Sequence, residues 1–149
     1  QAYTTDASAL AFIRSKEAPT PDAYLILPEI ISKEPLAPAV RRGDDEWFAI
    51  VKWTLNALIE AEELGITQAR VDSLKTSPDP AVQRFLGVGE DLGKSLGLDR
   101  EWAARAVKAV GNYGEIFNRN VGADSPLKLP RGLNALWNKG GILYAQPLR

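Results

Sequence analysis

Hydrophobic positions along the chain change their spacing at Gly43. Before it they come in short continuous runs broken by proline; after it they recur at helical intervals. Residues 2–5 end in two β-branched threonines, Thr4 and Thr5, which predicts a short strand. Residues 7–16 are spaced for a short helix, with Asp6 as its N-cap. A turn-rich connector, EAPTPD, leads to AYLIL at 23–27. That run is too short and too continuously apolar for a surface helix, so a buried strand is expected. Pro28, Pro35 and Pro38 then argue for an irregular or edge path.

The stretch DDEWFAIVKWTLNALIEAEELG carries acids at its start, helical periodicity throughout and Gly65 at its end. Asp44, Asp45 and Glu46 suit the positive end of a helix dipole. Val51, Leu55, Leu58 and Glu62 follow one line, and Trp47, Ile50, Thr54 and Ala57 its neighbour. With Trp53 and Ile59 added, the apolar arc is broad, which predicts a helix buried on much of its girth. Shorter helical pieces follow: QARVDSLK after Thr67, AVQRFLG after Pro80, REWAARAVKAVG after Asp99, residues 111–120, and a last turn or two at 133–139. Two or three short strands need further partners to make a stable sheet. The expectation is that those partners are encoded before Gln1 and that the amino terminus is a cut.

Composition narrows the chemistry. The 149 residues carry 45% hydrophobic and 25% charged side chains, enough for one domain with a real core. A net charge of −1 with scattered basic residues gives no nucleic-acid footprint. With no cysteine and no histidine, the usual structural zinc sites, thiol chemistry and Ser-His or Cys-His pairs are excluded. No cofactor is implied. No apolar stretch approaches the ~20 residues of a membrane-spanning helix.

Three motifs invite sharper readings and do not sustain them. GVGEDLGKS at 87–95 lacks the first glycine at the spacing a phosphate loop needs, and no buried strand precedes it. A flexible turn between two helices is the expectation. The acids Asp44, Asp45 and Glu46, and Glu60, Glu62 and Glu63, show no calcium-loop spacing. They are expected to form solvated helix faces, the second group slightly unfavourable near a helix end. Trp47, Trp53, Trp102 and Trp137 lie in helical patterns and are expected in the core.

Asp6 differs from these. An ionised carboxylate offers about four acceptor positions, and one or two backbone amides do not exhaust them. At the carboxyl end of a strand in an open α/β sheet it would face the crevice where such folds bind ligands. There it would suit a cation such as an ammonium group. Helix cap and ligand contact are compatible roles.

AYTTDASAL, LPEIISKEPLAPAVRRGDDEWFAIVKWTLNALIEAEELGITQ, VGNYGEIFNR and SPLKLPRGLNALWNKGG together resemble the carboxyl-terminal half of general L-amino-acid-binding proteins. These are periplasmic solute receptors of polar-amino-acid ABC importers, and the resemblance runs over essentially the whole chain. It implies an α/β, type II periplasmic-binding-protein-like fold, of which this chain is the helix-rich carboxyl-terminal portion with a few short strands at its start. By the same resemblance, residues 1–22 end the second lobe and 23–42 return through the hinge. Residues 43–149 form the helical part of the first lobe with an extension. Asp6 matches the family's aspartate that holds the ligand's α-ammonium, with Thr5 as a neighbour. Arg41 and Arg42 do not match the arginine that clamps the α-carboxylate, which the family places upstream.

The implied function is capture of a free L-amino acid in the periplasm and delivery to a membrane permease, without chemistry on the ligand. The implied partners are that amino acid, the permease and the amino-terminal half of the same receptor. The alternative is a truncated helical fragment acting as a protein-interaction or self-association module. No acid–base pair suggests an enzyme.

Overall fold

The computed structural model describes residues 2–148. The chain divides into two compact units, Gln1–Pro38 with Asn118–Pro130, and Ala39–Phe117 with Arg131–Arg149.

In the first unit, helix α1 spans Ala7–Phe12 and continues as a π-helical turn over Ile13–Glu17. The widened turn is closed by the Ala18 amide donating to the Ile13 carbonyl at 2.9 Å. Asp6 caps α1 as its sequence predicts. The two expected strands do not form. Among the described residues there is no strand ladder; residues 2–5 and 24–27 have no regular secondary structure, and Ala23 ends a 3-10 turn over Pro21–Ala23. AYLIL is not buried either; Leu25 is 80% exposed. A strand exists only through its neighbours' hydrogen bonds, and these residues have no neighbouring strand to supply them. The second segment of this unit opens with three helical residues, 118–120, and continues as a loop held locally: Leu129 donates to the Val121 carbonyl, and the buried Ser125 hydroxyl donates to that of Gly122.

The second unit is built on helix α2, Asp45–Glu63. Asp44 caps it, its carboxylate accepting from the Trp47 amide at 3.1 Å. At the other end the Ile66 amide reaches the Ala61 carbonyl and the Gly65 amide that of Glu62, with Gly65 at φ +67°. This pattern needs a left-handed residue just past the helix, which glycine supplies without steric cost. It also delivers Ile66 into the core, where it is fully buried.

Helices α3 (Pro80–Phe85), α4 (Trp102–Val110) and α5 (Tyr113–Asn120) follow, the last three residues of α5 belonging to the first unit. Ala57 and Ala61 of α2 meet Ala103, Ala104 and Val107 of α4, with Val82, Phe85, Leu86 and Trp102 completing one cluster. Small side chains at this seam let the two helices pack closely. On its other side α2 places Ile59 against Leu136 and Ala145. The broad arc is therefore buried by two clusters, as its width implies.

Several local expectations are corrected. After Thr67 there is a turn and a short 3-10 stretch, Ser73–Thr76, in place of a helix. Helix α4 starts after Glu101; the Asp99 carboxylate accepts from the Glu101 amide at 2.9 Å and pairs with Arg105. Trp53 and Trp102 pack into or against the core, but Trp47 and Trp137 stand 51% and 61% exposed. Trp47 lies in the first turn of α2, ahead of the stretch that the two clusters cover. The glycine-rich stretch is not merely a flexible turn. Gly87 adopts φ +72°, and a Cβ there would run into the Arg100 carbonyl. One on Gly93 would run into that of Asp99. The glycines permit close backbone approach.

Candidate functional site

Asp6 sits half-buried at the junction of segment 2–5 and α1, with extended backbone angles of φ −63° and ψ 155°. Its Oδ1 accepts two hydrogen bonds, from the Ala9 amide at 2.8 Å and the Ser8 hydroxyl at 2.9 Å. Neither bond involves Oδ2. The Ala9 amide first and the Ser8 hydroxyl second hold the carboxyl below its ordinary value, and partial desolvation opposes them more weakly. The group is thus an anion at neutral pH with one oxygen committed to the helix. Thr5 precedes it in the chain and is exposed.

Arg41 and Arg42 lie in the other unit, where they line a shallow hollow with Gly43 and the acids Asp44, Asp45 and Glu46. Among the described residues, no three acidic side chains gather as a metal site.

The carboxylates at the end of α2 are not the solvated face their position suggests. Both oxygens of Glu62 accept from Arg131, at 3.0 and 3.1 Å, with the guanidinium lying over the rings of Tyr113 and Phe117. Glu63 accepts from the Ala145 amide and Glu60 from the Leu148 amide. Asn56, a turn earlier, accepts from the Gln146 amide at 2.8 Å. Together they tie the carboxyl-terminal segment to α2. Their partners lie more than 60 positions away in sequence, beyond the reach of helix-periodicity arguments.

A second polar knot did leave a sequence signal. Asn112 and Glu115 form a reciprocal cap at the start of α5. The Asn112 side chain accepts from the Glu115 amide at 3.0 Å, and the Glu115 carboxylate from the Asn112 amide at 2.8 Å. The spacing of an N-cap residue and a glutamate three positions later is the mark of a capping box. The buried Asn112 amide group also donates to the Ile66 carbonyl, locking α5 to the end of α2.

No family model matches the chain. Over 149 residues it is 63% identical to the general L-amino acid-binding periplasmic protein AapJ of Rhizobium johnstonii, covering 99% of this chain and 43% of that protein. It is 52% identical to the glutamate/glutamine/aspartate/asparagine-binding protein BztA of Rhodobacter capsulatus, covering 99% of this chain and 44% of that protein. A solved structure, an ABC transporter/periplasmic binding protein from Brucella ovis with glutathione bound, superposes with a TM-score of 0.93 at 54% identity. It covers 99% of this chain and 46% of that one. Along nearly its whole length the chain is thus similar to part of the periplasmic amino-acid-binding proteins of ABC transporters. It spans less than half the length of these relatives, a share that fits its resemblance to their carboxyl-terminal half. The type II periplasmic-binding-protein fold is therefore represented here in part. Its helix-rich portion is the part present. Among the described residues no helix is long and apolar enough to cross a membrane.

Proposed function

We propose that this chain is part of a receptor that captures free L-amino acids in the periplasm and hands them to the membrane permease of an ABC importer. The observation that carries this reading is identity of 52–63%, along nearly the whole chain, to proteins named for amino-acid binding. Self-association of a helical fragment has no comparable support. The receptor performs no chemistry on its ligand.

In this reading Asp6 receives the ligand's α-ammonium through Oδ2, with Thr5 beside it, and groups outside this chain receive the α-carboxylate. Glutathione fits the same chemistry. Its γ-glutamyl residue presents an α-ammonium and an α-carboxylate as a free amino acid does. Residues 1–22 then close the second lobe, 23–42 return through the hinge, and 43–149 complete the first lobe.

The test is calorimetry with a panel of amino acids on a full-length receptor that contains this sequence. Asp6→Asn removes the charge but keeps the shape, and should weaken binding by ~1.5–3 kcal/mol, the worth of a charge-assisted hydrogen bond. Unchanged affinity would remove Asp6 from the site.

A further inference from the structure

We infer that Ser8 is a positioning residue for ligand binding, holding the Asp6 carboxylate so that Oδ2 alone is offered to an ammonium group. The inference rests on the reading of Asp6 given above and adds a residue to it.

The two oxygens of Asp6 divide the labour. Each carboxylate oxygen has two acceptor positions. On Oδ1 both are used, one by the Ala9 amide at 2.8 Å and one by the Ser8 hydroxyl at 2.9 Å. A single backbone bond would leave the carboxylate free to pivot about it. A second donor, arriving from a side chain two positions along, fixes the carboxylate plane, because rotation then breaks one bond or the other. An orientation set before the ligand arrives lowers the ordering cost of binding. The Ser8 hydroxyl also favours the ionised form of Asp6, which is the form an ammonium needs. A helix cap by itself requires only the Ala9 bond. The serine bond is additional to capping, and its effect falls on where Oδ2 points.

The test uses Ser8→Ala, Ser8→Thr and Asp6→Asn in a full-length receptor that contains this sequence. Calorimetry with L-glutamine and a carbon NMR titration of the Asp6 carboxyl are the readouts. Ser8→Ala should weaken glutamine binding by about 3- to 10-fold, the range for one lost hydrogen bond, and raise the Asp6 titration midpoint. Ser8→Thr, which keeps a hydroxyl, should restore both. Ser8→Ala with unchanged affinity, or a loss that Ser8→Thr does not rescue, overturns the positioning role. If Asp6→Asn still binds normally, the Asp6 reading itself fails and the positioning role falls with it. If Asp6→Asn weakens binding and Ser8→Ala does not, only the positioning role falls.

Discussion

Arg131 places its two terminal nitrogens on the two carboxylate oxygens of Glu62, 69 positions away in sequence, at 3.0 and 3.1 Å. Both side chains are largely withdrawn from water, at 20% and 11% exposure. The same guanidinium lies 5.6 Å from the Tyr113 ring centre and 5.1 Å from that of Phe117. Removing one partner from such a pair leaves a poorly hydrated charge behind. Arg131→Ala should destabilise the protein by ~2–3 kcal/mol in urea unfolding, since partial exposure softens the full buried-pair cost. A change below ~0.5 kcal/mol would show that the fork is a surface pair of little consequence.

Gly114 of α5 borders this pair. A Cβ there would lie 2.9 Å from the Glu62 carboxyl carbon and 3.0 Å from an Arg131 terminal nitrogen. Replacing a helix glycine by alanine ordinarily stabilises by ~1 kcal/mol. Here Gly114→Ala is expected to lower stability by ~1 kcal/mol, because the pinned fork cannot retreat. In Glu62→Ala the carboxylate is gone and the Arg131 guanidinium is no longer pinned against it, so the same Gly114→Ala change should become neutral or stabilising. Additive effects in this double-mutant cycle would refute the coupling.

The tail bonds make a local prediction. The Gln146 amide donates to Asn56 at 2.8 Å, while the Ala145 amide reaches Glu63 at 3.3 Å. Asn56→Ala should speed hydrogen exchange at the Gln146 amide by ~10-fold. Helix α2, held by its two apolar clusters, should exchange as before. Leu148, buried beside Trp102, gives a second probe of the same segment. Leu148→Ala should cost ~2–3 kcal/mol as a core truncation.

The pH dependence of α1 follows from Asp6. Its carboxyl titrates below the ordinary 3.8 because the Ala9 amide and then the Ser8 hydroxyl favour the anion. A lowered value means that the cap's contribution is complete above about pH 3.8. It is lost as pH falls through the lower folded-state value. The Ala9 amide shift should titrate together with the Asp6 carboxyl, and both midpoints should lie below 3.8. A midpoint at or above that value would mean that Oδ1 is not held as described.

Local features of the chain were legible wherever local physics decides. The acids before Trp47, the helical spacing to Glu63 and the glycine at 65 define α2 without reference to anything distant, because capping, periodicity and a left-handed stop act within a few residues. The same holds for Asp6 as the cap of α1 and Pro80 at the start of α3. Contacts across the fold were not legible. Nothing in EAEE indicates that one glutamate meets Arg131 and two others hold tail amides, because that depends on which segment returns beside the helix end. AYLIL shows the same limit from the other side. Its composition expresses a strand's preference for burial, but a strand forms only when a neighbour completes its hydrogen bonds, and that neighbour is a matter of tertiary structure. For Asp6, the sequence by itself determined a capping carboxylate, whereas the fall of both bonds on one oxygen, from donors two and three positions along, was visible only in the structure.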